Sequence, residues 1–443
     1  MEFRLNKAVK TRREIGEERA TLCVMERAED TYAELIYDIP FQTTGEEYIF
    51  FPACAYDGNR FEVLKKQYPP LFTPEEARVD MPVTITDVPR LQKDGSGILE
   101  VTTGDLAVPC VGVYSRRQKK ALLFYTIQEI EGINLGLSYE KGRIAVSYPH
   151  MRKEGMYRWP FMRKSTDGGI TFEEGRSIEI PFKIVEFDCE DLRSFYHRFF
   201  ETRKCMGMPD DLKERMDDRK QFQILCDKMN QYNWKEQGQY YGTENPGGVA
   251  ICWQPGWVGG GMYTYALMRL GGTQEWERGV KTLHYLFKTQ RESGFFEEAA
   301  AEDGTIIPGI FGYEWSMDWH ETRKSADILY YLFRHFELFK ERGETIPQEF
   351  EQGARKLADA FVCLWKKYHQ FGQFVSLSTG EIIVGGTTSG AIAIGGLAYA
   401  AEYFKEEAYL DIARESAEYY YRKLLEEGYT VGGPEEILQG PDS

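Results

Sequence analysis

The chain has 443 residues, a net charge of −16 and many rings, with 28 Tyr, 27 Phe and 8 Trp. This length accommodates two domains with cores of their own. So acidic a chain lacks the clustered Lys and Arg that phosphate binding needs, which excludes nucleic acid as the expected partner. No run of about 18 apolar residues occurs, which excludes a helical membrane span. The eight cysteines are scattered, with no CxxC or CxxxH spacing, so no zinc site is expected and the thiols are read as reduced and mostly buried. The opening Met1-Glu2-Phe3-Arg4-Leu5-Asn6-Lys7 runs into charged residues without an apolar core, so no signal peptide is read there. A reducing, cytoplasmic setting is the expectation.

From Ala20 to Asp188 the pattern has period two. Ala121–Tyr125, Arg143–Tyr148 and Ser177–Pro181 read as strands, separated by turn chemistry at Asp57-Gly58-Asn59, Asp94-Gly95-Ser96-Gly97, Glu140-Lys141-Gly142 and Asp167-Gly168-Gly169. Many short strands with such turns predict an antiparallel β-sandwich over residues 1–189. A helix near Asp191–Lys204 is expected to bridge onward through residues 190–209. Met208-Pro209-Asp210 marks the boundary, with Asp210 as N-cap of a helix beginning near Leu212.

Residues 210–443 carry period 3.6. Three apolar helix patterns start near Trp257, Trp319 and Thr388, and each turns sharply into a second helix, at Leu270-Gly271-Gly272-Thr273, Arg342-Gly343-Glu344 and Phe404-Lys405-Glu406. The returns are long: Arg291–Asp318, His369–Thr387 and Gly428–Ser443. Ile328, Leu329, Tyr331, Leu332, Phe333, Phe336 and Phe339 predict a helix buried on most of its circumference. Ala391–Phe404 is rich in small residues that allow close approach, and Glu406–Glu426 alternates charge with apolar residues, as an outer helix does. Ser376–Gly386 holds too many Thr, Ser and Gly for a helix and is expected as a hairpin or loop. Helix pairs that cannot bury their faces alone stack into a ring, and the long-loop face is the place to look for chemistry.

Several segments carry a family resemblance: Trp253-Gln254-Pro255-Gly256-Trp257-Val258-Gly259-Gly260-Gly261, Thr387-Thr388-Ser389-Gly390-Ala391, the stretch Gly433–Ser443, and the aromatic loop Phe50–Phe61. With the sandwich, helix and helix pairs in that order, the chain resembles the six-hairpin glycosidase superfamily. That resemblance implies an (α/α)6-type toroid behind an N-terminal β-sandwich, and a carbohydrate substrate. A complete toroid has about twelve helices, and the pattern here supplies six or seven. Either the ring is open or the chain is a fragment; a fragment, roughly 150–250 residues short of a full ring, is the expectation.

Glycoside hydrolysis needs two carboxyl groups, one of which holds its proton. Glu314-Trp315-Ser316-Met317-Asp318-Trp319-His320-Glu321 fits best, offering Asp318 and Glu321 as catalytic candidates with His320 beside them. The plain alternative is a capping box, with Asp318 as N-cap and Glu321 completing it. Glu435, Glu436 and Asp442 form a second acidic cluster, from which Glu436 and Asp442 are taken as catalytic candidates. In a glycine-proline loop such residues can equally be solvated, and Asp442-Ser443 can equally start a helix. Trp253, Trp257, Trp315 and Trp319 are expected on the open face, where at least one stacks on a sugar; the alternative is that they plug the core. Arg60, after its turn, is a candidate for binding a substrate carboxylate or hydroxyls, or is solvated. Tyr263, His284 and His335 read as packing residues. Gly259-Gly260-Gly261 lacks a preceding strand and a GK[ST], so it reads as close helix packing, not a phosphate loop.

The leading expectation is a glycoside hydrolase cleaving an oligosaccharide through paired carboxylates, with no cofactor or metal, no membrane or nucleic-acid partner, and an oligomeric state left open. A polysaccharide lyase of similar architecture and a non-catalytic glycan-binding protein are the alternatives, because one fold hosts unrelated functions.

Overall fold

The computed structural model describes the chain except for residues 61–63, 66–71, 74, 82–83, 86–89, 154–155, 159–160, 206–215, 244–250, 258, 311–313, 387 and 428–443. It divides into two compact units. The first gathers Met1–Tyr68 and Ile85–Leu212; the second gathers Pro69–Thr84 and Lys213–Gly440. Antiparallel sheets build the first and helical hairpins dominate the second, so the architecture is β plus α.

In the first unit two antiparallel sheets share a core. The five-stranded sheet runs Glu2–Leu5, Ala33–Asp38, Arg143–Tyr148, Gly136–Glu140, Leu99–Thr102. The six-stranded sheet runs Thr11–Ile15, Arg19–Val24, Ser177–Asp188, Lys120–Thr126, Cys110–Ser115, Tyr48–Phe50. Period-two alternation turns Leu35, Leu137 and Val146 of one sheet toward Val113, Leu122, Phe124 and Ile180 of the other. The second sheet is covered on its far side as well. There Tyr48, Phe50, Tyr114, Leu123 and Tyr125 pack on Phe195 and Phe199 of helix α1 (Leu192–Cys205). This explains the unbroken apolar run in Lys120–Thr126, since a strand buried on both faces has no polar side to alternate with. Helix α1, expected as a bridge, is a third layer of this unit, and it packs so closely that a Cβ on Gly112 would sit 2.5 Å from Phe195 Cζ.

The N-cap expected at Asp210 lies outside the described residues, as does Leu212; in the second unit α2 (Asp218–Lys228) has Asp217 as its N-cap, accepting from the backbone N–H groups of Arg219 and Lys220. Three hairpins follow: α3 (Gly260–Leu270) with α4 (Thr273–Lys288), α5 (Thr322–Arg342) with α6 (Gln348–Tyr368), and α7 (Ala393–Phe404) with α8 (Glu407–Glu427). Helix α5 packs between α3 and α7, while α6 packs between α4 and α8, which gives an inner and an outer layer. The hairpins close at the three short turns read from the sequence. Gly343 and Lys405 sit there in the left-handed region, at φ 69° and 59°, and stop α5 and α7 abruptly. Helix α5 is apolar on most sides because Ile328, Leu329, Leu332, Phe333, Phe336 and Phe339 are all enclosed. Among the described residues no helix is long and apolar enough to cross a membrane. All eight cysteines are free thiols.

A buried histidine is among the polar groups of this helical unit. His335 of α5 is fully buried; its Nδ1 donates to the Tyr331 carbonyl at 2.7 Å, and its Nε2 lies 3.1 Å from Thr264 Oγ1 of α3. Burial depresses its proton affinity, against the pull of the Tyr331 carbonyl, from 6.5 to about 4. The unfolded chain therefore takes up this proton first, and stability falls as pH drops from about 6.5 toward 4. The loss is roughly 3 kcal/mol at its limit. Denaturant titrations of the native chain and His335→Gln at pH 7 and pH 4 test this: the native chain should lose roughly 3 kcal/mol more than the variant. Equal losses would remove the assignment.

Candidate functional site

Three stretches of backbone meet at the long-loop end of α5. The first is Cys252–Trp257. Trp253 exchanges backbone hydrogen bonds with Ala300 at 3.0 and 3.1 Å, and so aligns the second stretch, Phe295–Ala301. The third is the short strand Trp319–Glu321, paired with Phe374–Ser376, which pairs in turn with Ile382–Val384. Trp257, held at φ 59°, donates its N–H to Asp327 Oδ2 at 2.8 Å, and a Cβ on Gly256 would sit 2.0 Å from the Lys324 carbonyl oxygen. The glycines at the start of α3 serve the same close approach: a Cβ on Gly261 would meet Ile328 Cδ1 at 2.1 Å. The first turn of α5 is thus enclosed by loops.

What these loops enclose is charged. Lys324, only 5% exposed, donates to Glu298 and, at 3.2 Å, approaches Glu321 Oε2; the two carboxylates are 2% and 3% exposed. Glu298 also accepts from the Glu321 backbone N–H at 3.1 Å, and its Oε2 lies 2.9 Å from His320 Nδ1. Burial works to raise the Glu298 proton affinity, but the Lys324 ammonium and the His320 ring outweigh it, and the carboxyl is held well below its ordinary range. Lys324, desolvated by burial yet flanked by Glu298 and Glu321, has its proton affinity raised. It therefore stays charged. The neighbouring carboxyl behaves oppositely. Glu297 is 4% exposed and is pushed up by burial, against the opposing pull of its ion partner Arg291, and its Oε2 is buried with no hydrogen-bond partner. Asp327, fully buried, is likewise raised by burial against Arg323, whose Nε donates to it at 2.8 Å.

Glu298, His320 and Ser325 stand in the order of a hydrolase triad, with Ser325 Oγ 2.7 Å from His320 Nε2. Nδ1 lies 2.9 Å from Glu298 Oε2, and His320 and Ser325 have no exposed surface. This line of groups ties the strand Trp319–Glu321 to the start of α5. Among the described residues no group of three or more His, Cys, Asp or Glu side chains is arranged to hold a metal ion.

The residues singled out from sequence scatter around this cluster. Glu321 is in it, and so is His320, enclosed and not facing solvent. Asp318 does not cap α5, because the strand Trp319–Glu321 intervenes and Glu321 occupies the N-cap. Instead Asp318 accepts from Ser378 N and Oγ at 2.8 and 2.9 Å and from Ser376 Oγ, which fastens the hairpin of residues 374–384. Trp253 is fully enclosed between Tyr240 and Tyr285, and Trp319 is 6% exposed against Trp315 and Phe374. Both are core rings and depart from the expectation of an open stacking platform. Trp257 and Trp315 are half-buried. Arg60 belongs to the first unit. Glu436 and Asp442 lie outside the described residues, as do Glu435 and Thr387. Sequence reasoning missed Glu297, Glu298, Lys324 and Asp327. The signal was available: two adjacent glutamates after Phe295-Phe296 in a long return, and a lysine and an aspartate three residues apart just before the apolar run that opens at Ile328.

No protein-family model matches the chain, and no curated protein matches it. Solved structures do. A cellobiose 2-epimerase from Bacillus thermoamylovorans aligns with a TM-score of 0.37 and 12% identity, over 48% of this chain and 55% of that one. A bacterial glucoamylase complexed with acarbose aligns with a TM-score of 0.30 and 12% identity, over 100% and 75%. A putative kojibiose phosphorylase from human microbiome gives 0.27 and 9%, over 95% and 50%. The aligned region spans about half the length of the epimerase. At these scores the likeness is too loose to carry residue roles to this chain.

Removing Lys324 leaves two buried carboxylates without their shared cation. Lys324→Met is expected to cost about 3–5 kcal/mol in denaturant unfolding. The triple variant Glu298→Gln, Glu321→Gln, Lys324→Met, which also removes the stranded charges, should recover a substantial part of that loss. If it recovers none, packing and not charge dominates here.

Proposed function

We propose that this chain is a glycoside hydrolase acting on an oligosaccharide, that its three hairpins are an arc of an (α/α)6-type toroid, and that its chemistry lies at the long-loop end of α5. The observation that carries the reading is the divergence between two adjacent carboxyls: Glu297 is pushed toward its protonated form, while Glu298 is held ionised. Groups driven apart in this way mark acid and base roles. In this reading Glu297 is the proton donor to the leaving oxygen, consistent with the unpartnered Oε2. Glu321, an expected catalytic carboxyl, is the second carboxyl of this reading, with Glu298 and Lys324 fixing its position. Asp318 positions the neighbouring hairpin through its three hydrogen bonds. Trp257 and Trp315 are the rings left to stack on a sugar, and Glu436 and Asp442 keep the candidate roles that their motif suggests. A cytoplasmic location belongs to the same proposal.

Incubating the chain with an oligosaccharide panel in ¹⁸O water, read by mass spectrometry, tests the reaction class. Label at a new reducing end supports hydrolysis, an unsaturated unlabelled product replaces it with a lyase, and no product from any glycan leaves only a binding protein. Glu297→Gln should lower turnover roughly 10²–10⁴-fold with the melting transition kept. Unchanged turnover would move the acid role elsewhere.

A further inference from the structure

The first unit carries a cleft that the hydrolase reading does not use. It has a volume of about 380 Å³ and is lined by three turns, through Thr44, Glu46 and Glu47, through Asp57 and Arg60, and through Ser115, Arg116 and Arg117, with Lys93 beside them. Four cations face three carboxylates, but the carboxylates are not equally available. Glu47 is enclosed and committed to its own turn, accepting from Thr44 N at 2.7 Å, Thr44 Oγ1 at 3.1 Å and Gly45 N at 3.0 Å. Burial pushes the Asp57 carboxyl upward, against the pull of the Arg60 and Arg116 guanidiniums. Arg116 and Arg117 are exposed at the tip of the hairpin between Cys110–Ser115 and Lys120–Thr126. On a chain with a net charge of −16, this is a local reversal of sign.

Two of its lining residues carry polar atoms with no partner. Asp57 Oδ1 and Arg60 Nε are both buried and neither has a hydrogen-bond partner. The guanidinium reaches other groups, donating Nη2 to the Glu47 carbonyl at 2.6 Å, while its Nη1 stays 3.8 Å from Asp57 Oδ1, too far for a hydrogen bond. A buried acceptor and a buried donor left open on adjacent side chains call for a group able to answer both. A hydroxyl does this, accepting from Arg60 Nε and donating to Asp57 Oδ1.

We propose that this cleft binds a small hydroxylated molecule carrying an oxyanion, with Arg116 and Arg117 holding the oxyanion and the Asp57–Arg60 pair holding a hydroxyl. Arginine forks suit carboxylate and phosphate alike, so sugar acids and sugar phosphates share the required chemistry. The site lies in the first unit, and its test does not depend on turnover.

Isothermal titration of the full chain with glucuronate, glucose 6-phosphate, glucose and inorganic phosphate decides the matter. At least one of the two sugar anions should bind, neutral glucose should not, and affinity should fall with added salt. Binding of glucuronate alone or of glucose 6-phosphate alone supports the site and identifies the oxyanion. The double variant Arg116→Ala, Arg117→Ala changes only exposed turn residues, so its melting temperature should hold while affinity falls roughly tenfold or more. Asp57→Asn should weaken the sugar anion while leaving inorganic phosphate unchanged. No binding of either sugar anion, binding indifferent to the arginine pair, or inorganic phosphate binding as tightly as the sugar anions would each overturn the proposal.

Discussion

A lysine buried between two glutamates is the constraint around which the helical unit is arranged. Lys324 lies in the first turn of α5, Glu321 just before that helix, and Glu298 in a loop returning from the preceding hairpin. Each charge is intolerable in the interior without the others. The three must therefore arrive together, and they bring the backbone with them: the return loop against the helix start, and the strand Trp319–Glu321 against the hairpin that Asp318 fastens. Such a network is a poor source of net stability but a strict rule about which segment lies where.

That rule explains how a loop-built region keeps its shape. Loops carry function because they vary and move, yet a reacting group must be held closely. Here Trp253 and Trp319, buried as core rings, and the glycines at Gly256 and Gly261 leave the loops little freedom against α5. The first unit solves a related problem with apolar surface. Its six-stranded sheet packs on the other sheet with one face, and four of its strands pack on α1 with the other.

Much of the scaffold was legible in the chain because periodicity reports burial. The strands at 121–125, 143–148 and 177–181, the helix near 191–204, the three tight turns and the hairpin within 376–386 all follow from residue pattern and turn chemistry. Less legible was anything set by long-range pairing. Nothing in Trp319–Glu321 marks it as a strand rather than a helix start, since its partner is more than fifty residues away at Phe374–Ser376. The tryptophans misled for a similar reason: an aromatic ring in a loop gives no sign of whether another loop will cover it. Glu297 and Glu298 were hidden by the usual expectation that loop glutamates are solvated, and only the fold brings Lys324 to Glu298.

The two ends of the hairpin stack differ in what they could tolerate over evolutionary time. At the tight end α5 and α7 finish on the left-handed Gly343 and Lys405, and the chain reverses within a few residues. Connections this short leave almost no chain on which new side chains could be presented. The opposite end spans far longer loops that are anchored at a few points. New segments can be spliced between those anchors while the helices stay in place, and a lineage built on this frame would diversify its chemistry from one side only.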